Sequence, residues 1–171
     1  GSEMCIRDSD APSRLGGSEL VDILWDAYHA LPPQVALGMV NLLESHDIGR
    51  ALHRLGNDPA RYLAVFTLLI AYPGVPCLYY GTEIGLSQSR PGTMPWCREP
   101  MPWDETRWNT ALRTRVQALV RVRRDTLALQ RGHLTFLRVG EDAVAFLREY
   151  THTDGRTERA VAVASRSAES H

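Results

Sequence analysis

The sequence predicts an α/β fold in which βα units surround a parallel sheet, followed by antiparallel strands. Between residues 18 and 131, segments with helical apolar spacing alternate with short, uniformly apolar segments, as expected for strands covered on both faces. Polar clusters stand where two of those short segments end, the position at which α/β folds place their chemistry. After Gly132 the apolar period shortens to two, which indicates antiparallel strands.

The composition is that of a folded domain. Of the 171 residues 44% are hydrophobic, and 19 Lys and Arg face 20 Asp and Glu, for a net charge of −1. This balance favours neither a nucleic-acid partner nor a membrane surface, and no apolar run reaches the length of a transmembrane helix. Cys5, Cys77 and Cys97 have neither metal-like spacing nor the pattern of a disulfide framework, so they leave the compartment open.

The first nine residues form a separate segment. GSEMCIRDS lacks the apolar stretch of a signal peptide. Residues 4–9 can be back-translated as ATG TGT ATA AGA GAC AGT, which resembles the mosaic end of a transposase-based sequencing adapter, and residues 1–3 fit the flanking bases. We therefore expect residues 1–9 to be translated adapter, the native protein to enter at about Asp10, and the chain to be a piece of a longer protein. The alternative is a natural polar N-terminus.

The first half of the chain predicts two helix–strand pairs. Ser18 is a candidate cap for a helix that Pro32 and Pro33 end, and the second half of residues 35–43 is predicted as a buried strand. Asp58 and Pro59 then suit the start of an apolar helix over residues 60–72. Residues 75–80, VPCLYY, are predicted as a second buried strand.

The second half predicts a long loop, a helix and a hairpin. Residues 81–105 include four prolines and two tryptophans, which favours an ordered, functional loop over disorder. Residues 109–131 are predicted as one helix, whose arginines form either a solvated outer face, the interpretation we favour, or a basic patch. A β-hairpin is predicted after residue 140. Apolar and other residues alternate around Val144 and Phe146, Asp154-Gly155 suits a tight turn, and residues 159–164 are again apolar.

One stretch concentrates ionisable groups. In NLLESHDIGR, residues 41–50, an apolar run ends in Glu44, Ser45, His46 and Asp47. Charged groups are costly to bury unless they are paired, so the cluster is either a site or a satisfied structural network. Without further information, a His-Asp doublet is more often structural than catalytic.

Three segments together resemble the α-amylase family, glycoside hydrolase family 13. They are NLLESHDIGR at residues 41–50, GVPCLYYGTEIGL at residues 74–86 and CREPMPWDE at residues 97–105. The resemblance spans about residues 20–138 and looks closest to the group of neopullulanase, cyclomaltodextrinase and maltodextrin glucosidase. It implies the C-terminal part of a (β/α)₈ TIM barrel, from about helix 6 to helix 8, over residues 10–133. Residues 134–171 would begin a C-terminal antiparallel β-domain.

The resemblance also implies roles for individual residues. Asp47 matches the family's third catalytic carboxylate, which stabilises the transition state at the end of the seventh strand, and His46 matches the histidine that binds the same sugar. Candidates to line the site are Arg50, Glu83, Arg98 and Trp103. The family's nucleophile and general acid stand on the fourth and fifth strands, which have no counterpart here, so we predict that this chain alone is inactive.

Several expectations qualify these roles. Glu83 either faces the sugar or, as we favour, pairs with a barrel-top arginine such as Arg50 or Arg98. Trp96 and Trp103 each either stack on sugar or pack their loop. Glu44 is expected to support the site from behind, and Tyr79 and Tyr80 to point to opposite sides.

The resemblance further implies an α-glucan oligosaccharide as substrate, with no metal and no cofactor at these residues, although relatives can bind calcium elsewhere. The loop sequence SQSRPGTMPWCREP departs from the family's pattern. It leaves open the preference for α-1,4 or α-1,6 linkages and the choice between hydrolysis and transfer. The compartment and oligomeric state are also open, although the resemblance favours the cytoplasm.

Two alternatives compete with a glycosidase. A metal-dependent phosphohydrolase of the HD type also uses a His-Asp doublet, and His29 and His53 are available as further ligands. That doublet, however, sits in a helical bundle, whereas this one follows a strand. The second alternative is an amylase-like protein that binds carbohydrate or acts as a scaffold after losing its catalytic carboxylates.

Overall fold

The computed structural model describes residues 16–87, 97–137 and 140–165. The helices are α1 Gly17–His29, α2 Pro33–Ala36, α3 Ala51–Arg54, α4 Pro59–Ala71, α5 Thr110–Asp125 and α6 Leu127–Arg131. The strands are β1 Val40–Leu42, β2 Val75–Cys77, β3 His133–Phe136, β4 Ala143–Thr151 and β5 Thr157–Ser165. Two 3₁₀ turns, Thr82–Ile84 and Glu105–Arg107, lie between β2 and α5. The predicted adapter residues and Trp96 lie outside the described residues.

The first sheet confirms the predicted parallel βα arrangement. β1 and β2 run parallel, with Val40 beside Val75 and Leu42 beside Cys77, and α3 and α4 connect them. The expectation that these strands are buried is wrong, since Val40 is 59% and Val75 49% exposed. Parallel strands become buried when further strands flank them and helices cover both faces of the sheet. Among the described residues, β1 and β2 pair only with each other, so much of their surface stays exposed.

The N-terminal helix begins earlier than its polar residues predict. Gly16 is the N-cap of α1, and Ser18 lies inside the first turn, so the predicted Ser18 cap is wrong. The Gly17 N–H donates to the Glu141 carbonyl at 2.8 Å, which fixes the helix start against the turn before β4. Helix α1 ends at His29, before the two prolines, and Pro33 is the first residue of the short helix α2.

Helices α3, α4 and α5 pack against one another beside the parallel strands. The Asp58 side chain accepts hydrogen bonds from the Ala60 and Arg61 amides at the start of α4, and Asn109 accepts from the Leu112 amide at the start of α5. Apolar side chains of α3, α4 and α5 form one core: Ala51, Leu52, Tyr62, Phe66, Leu69, Ile70, Leu112 and Val116.

The predicted single helix over residues 109–131 is two helices. The backbone of Thr126 is extended, with φ −123° and ψ 106°, so α5 ends at Asp125 and α6 begins at Leu127. The Gln130 side-chain amide donates to the Arg123 and Arg124 carbonyls at 3.1 and 2.7 Å. These hydrogen bonds satisfy backbone carbonyls in the last turn of α5, where intrahelical N–H donors run out.

The antiparallel sheet has the strand order β3-β4-β5 and confirms the predicted hairpin. In the turn, the Asp154 carboxylate accepts from the Arg156 amide at 2.9 Å, and Gly155 has a φ of +83°. Apolar side chains of this sheet and of helices α4 and α6 form a second core: Ala71, Leu129, Leu134, Val144, Phe146 and Ala162. β3 starts at His133, next to the predicted boundary between residues 133 and 134, which remains a prediction.

Two arginines join the helical layer to this sheet. Arg123 of α5 donates to the carbonyls of Ile70, Tyr72 and Gly74. Arg148 of β4, which is fully buried, donates to Ala71 at 2.5 Å. These acceptors lie at the C-terminal end of α4, where orphan carbonyls and the helix dipole favour cations. Arg123 is therefore neither on a solvated face nor part of a basic surface patch, which corrects the prediction for this residue.

Tyr72 provides a test of this junction. Its hydroxyl donates to the Leu24 carbonyl at 2.6 Å, and burial raises its pKa to about 12. Because the folded pKa exceeds that of the unfolded chain, this contribution to stability is present below pH 10 and is lost as the pH rises towards 12. We expect Tyr72→Phe to be less stable than wild type at pH 7, by about 1 kcal/mol, and this difference to shrink by pH 11. Urea unfolding at both pH values measures it, and a difference that grows with pH would contradict the assignment.

Candidate active site

The two polar clusters lie at the same edge of the parallel sheet. Glu44 to Asp47 follow β1, and Gly81 to Glu83 follow β2. Since β1 and β2 are parallel, their carboxyl ends meet at one edge, as predicted. The structure thus brings the two sequence motifs together in space.

His46 and Asp47 form an exposed pair. The His46 Nε2 lies 2.9 Å from Asp47 Oδ2, and the two side chains are 64% and 67% exposed. On the other side, Arg98 Nη2 lies 2.9 Å from Asp47 Oδ1. A carboxylate can accept about four hydrogen bonds, so Asp47 keeps acceptor capacity for a further donor such as a sugar hydroxyl.

The backbone around Asp47 is fixed by Ser45. The Ser45 hydroxyl accepts hydrogen bonds from the amides of Asp47 at 3.1 Å and Ile48 at 3.2 Å. This arrangement is a turn stabilised by a serine side chain. It directs the Asp47 side chain out of the loop.

Residues 97 and 98 also form hydrogen bonds to this turn. The His46 carbonyl accepts from the Cys97 thiol and from Arg98 Nε, each at 2.9 Å. The Tyr80 hydroxyl, beyond β2, donates to the Glu99 carbonyl at 2.5 Å. The segment that carries Arg98 is thereby tied to the ends of both strands, and Cys97, which is 1% exposed, packs as part of it.

Beneath the exposed pair lies a buried ionic network. The side chains of Glu44 and Arg50 are 3% and 1% exposed, with Arg50 Nη1 lying 3.4 Å from Glu44 Oε1. Glu44 also accepts from the Ala51 amide and from the Thr82 hydroxyl. Arg50 Nη1 donates to the Tyr80 carbonyl at 2.6 Å. These contacts bury Glu44, as its predicted position behind the site requires, while its support of that site stays a prediction.

The structure corrects the expectations for Arg50 and Glu83. Arg50 is too deeply buried to line a sugar site, because Glu44 and the end of β2 enclose its guanidinium. Glu83 pairs with neither Arg50 nor Arg98, whose carboxylate partners among the described residues are Glu44 and Asp47. The two pairings named for Glu83 are therefore wrong, and its role in the site remains a prediction.

The aromatic residues near the site also differ from expectation. Tyr79 and Tyr80 do not diverge, because β2 ends at Cys77 and strand alternation no longer applies to them. Their ring centroids are 4.5 Å apart, and both rings cover the Arg50 guanidinium at 4.4 and 4.5 Å. Trp103 is 80% exposed, so it packs little against the described residues, and its stacking on sugar stays a prediction.

Sequence reasoning missed Tyr62, which lies beside the buried network. Tyr62 of α4 is 1% exposed, and burial together with the charge of Glu44 raises the pKa of its hydroxyl. Tyr62 therefore stays neutral next to the carboxylate. A tyrosine in a largely apolar helix was the available signal, because a buried hydroxyl needs a polar neighbourhood.

The described residues give no support to a metal site. No group of three or more His, Cys, Asp or Glu suited to hold a metal ion is found among them. His29, one of the extra ligands that an HD-type enzyme would need, instead lies at the end of α1, with Nδ1 2.9 Å from the Trp25 carbonyl. The His-Asp doublet follows a parallel strand, not a helix of a bundle. In the same parts of the chain, no helix is both long and apolar enough to cross a membrane.

Comparison with known families and with known sequences points to one family. The family described as alpha amylase, catalytic domain, matches residues 19–130. A cyclomaltodextrinase of Geobacillus thermopakistaniensis is 37% identical over 145 residues, which cover 85% of this chain and 24% of that protein. A maltogenic alpha-amylase of Bacillus acidopullulyticus is 38% identical over 120 residues, covering 70% of this chain and 20% of that protein. The chain thus spans between 20% and 24% of the length of these two curated relatives.

Solved structures that resemble this chain belong to the same kind of enzyme. The cyclic alpha-maltosyl-(1→6)-maltose hydrolase of Arthrobacter globiformis, in complex with maltose, superimposes with a TM-score of 0.78 at 32% identity, over 89% of this chain and 32% of that one. A cyclomaltodextrinase superimposes with a TM-score of 0.75, also at 32% identity, over 86% of this chain and 24% of that one. The parallel strands with their helices and the antiparallel sheet correspond to a C-terminal portion of these TIM-barrel enzymes.

Proposed function

The chain belongs to the alpha-amylase family, and from that membership we propose that it is part of a retaining glycoside hydrolase or transglycosidase acting on maltodextrins. In this proposal Asp47 is the carboxylate that stabilises the transition state, and His46 binds the same sugar. Retaining enzymes of this kind pass through an oxocarbenium-like transition state. A fixed anion beside the sugar ring lowers the energy of that state because positive charge develops on the ring.

The observation that carries the proposal is the exposed His46–Asp47 pair at the carboxyl end of β1. Its side chains are open to solvent, while the charged groups behind them are buried and paired. A purely structural network needs no exposed member held in this way. The pair also stands at the strand end where barrel enzymes place their catalytic groups.

The proposal includes a division of labour within a longer protein. The nucleophile and the general acid belong to the family's fourth and fifth strands, and no other Asp or Glu of this chain matches their motifs. The chain then supplies one wall of the cleft, with Arg98 and Trp103 as its other exposed candidates. The names of relatives that act on cyclomaltodextrin or cyclic maltosyl-maltose support a small α-glucan as the substrate. One relative is named an intracellular maltogenic amylase, which supports our expectation of the cytoplasm.

The test compares the chain with the longer reading frame around it, recovered from the source DNA. We expect the longer protein to release sugar from maltodextrin and from cyclodextrin, and the 171-residue chain to release none. Turnover of an aryl α-glucoside by the chain alone, abolished by Asp47→Ala, would overturn the division of labour. A longer protein that lacks the two other carboxylates and binds maltodextrin without cleaving it would favour the carbohydrate-binding or scaffold alternative.

A further inference from the structure

The loop that carries His46 and Asp47 is closed at its base by one carboxylate. Glu44 stands at the start of this loop, and its carboxylate accepts a hydrogen bond from the amide of Ala51, the first residue of α3. The same carboxylate meets Arg50 Nη1 at 3.4 Å. Both ends of the loop are thus fixed to one side chain, with the exposed pair between them.

The same two residues connect this loop to the end of β2. The Thr82 hydroxyl donates to Glu44, and Arg50 Nη1 donates to the Tyr80 carbonyl at 2.6 Å. The Tyr80 hydroxyl in turn donates to the Glu99 carbonyl, next to the arginine that holds Asp47. A displacement at Glu44 or Arg50 would therefore reach Asp47 by two routes, through the loop and through Arg98.

Stability alone is a weak reason for such a network. Removing two charges from water costs several kcal/mol per ion, and well-packed apolar residues of similar volume are often as stable as a buried ion pair. Here Arg50 Nη2 is buried with no hydrogen-bond partner among the described residues, and the guanidinium faces the rings of Tyr79 and Tyr80 instead. What a buried, directional network supplies better than an apolar core is a defined geometry.

We propose that Glu44 and Arg50 are positioning residues, which hold the His46–Asp47 loop against the end of β2 so that the Asp47 carboxylate meets the sugar in a fixed orientation. The inference rests on the proposed function, because it assigns these residues to the reaction of the same site. Neither residue touches substrate. Their contribution arises because a misplacement of about 1 Å in a catalytic group can lower a rate by about a hundredfold.

The test is a double-mutant cycle in the longer enzyme, with an activated aryl maltoside as substrate. We expect Glu44→Gln to lower kcat ten- to hundredfold, with a much smaller change in KM, and to have little further effect once Asp47→Asn is present. This non-additivity shows that two residues act as one unit. An equal fold-loss from Glu44→Gln in both backgrounds would overturn the proposal. If Asp47→Asn alone leaves kcat unchanged, the proposed function itself fails.

A second measurement needs no activity. In the 171-residue chain, amide hydrogen exchange of Asp47 and Ile48 reports the order of the loop. We expect Glu44→Gln to speed this exchange at least tenfold. The matched control is Arg148→Lys, which alters a fully buried arginine of β4 that contacts the end of α4 and not the loop. Glu44→Gln with unchanged exchange at both amides, or Arg148→Lys with the same acceleration, would assign Glu44 to stability alone.

Discussion

Asp47→Asn in the longer enzyme is expected to lower kcat about a thousandfold and to change KM little. Asparagine keeps the shape of the side chain and an oxygen that can accept from Arg98, so the loop should stay folded. What it loses is the negative charge. Removing one electrostatic stabiliser of a transition state typically costs a factor of about 10² to 10³ in kcat. Because the charge on the sugar develops only in the transition state, the loss falls on kcat.

The control for this prediction is Asp58→Asn. Asp58 is also a partly exposed carboxylate, and it accepts two amide hydrogen bonds as the N-cap of α4. Asparagine caps helices about as well as aspartate, so we expect wild-type kcat and an unchanged melting temperature. Steady-state kinetics of both variants on maltodextrin decide the point. A kcat for Asp47→Asn within about threefold of wild type would remove Asp47 from the catalytic machinery.

The position of the candidate site could be predicted from the sequence because it depends on local order along the chain. Apolar strand residues followed at once by His46 and Asp47, and a second strand followed by Thr82 and Glu83, place both motifs at one edge of a parallel sheet. No knowledge of side-chain contacts is needed for that conclusion. The burial of the strands was not predictable in the same way, since it depends on which layers cover Val40 and Val75.

The pairing of charges could not be predicted. Glu44, Asp47 and Glu83 are all candidate partners for Arg50 and Arg98, and sequence spacing does not rank them. The choice follows from the turn at Ser45, which leaves Glu44 inside and directs Asp47 outward. Once Glu44 is inside, Arg50 follows it, because a buried carboxylate requires a donor. The same argument explains why Arg50, predicted at the surface of the site, lies beneath it.

The helix break at Thr126 escaped prediction for a related reason. The apolar spacing continues through residues 109–131, and no Gly or Pro interrupts it. The end of α5 is set by the Gln130 amide and by the docking of α6 on the antiparallel sheet, where Ala128 donates to Glu158 at 2.8 Å. Tertiary contacts of this kind override local propensity.

Arg148→Ala in the 171-residue chain is expected to lower the free energy of unfolding by about 3 to 5 kcal/mol. The Arg148 side chain is fully buried and donates to the Ala71 carbonyl at 2.5 Å and, through Nη2, to the Gly132 carbonyl at 2.9 Å. Burial lowers its pKa to about 10, so it remains protonated at neutral pH. The truncation leaves a cavity and deprives two buried carbonyls of their donor. Urea unfolding at pH 7 measures the change.

The matched control is Arg159→Ala on the neighbouring strand. Arg159 pairs with Glu149 at 2.5 Å, but its side chain is 62% exposed, and exposed ion pairs contribute about 1 kcal/mol or less. Two arginines on adjacent strands of one sheet should therefore differ several-fold in their effect on stability, because only Arg148 connects β4 to the end of α4. Equal losses for the two variants would show that Arg148 does not join the helical layer to the antiparallel sheet, and that the two cores are held together by apolar packing instead.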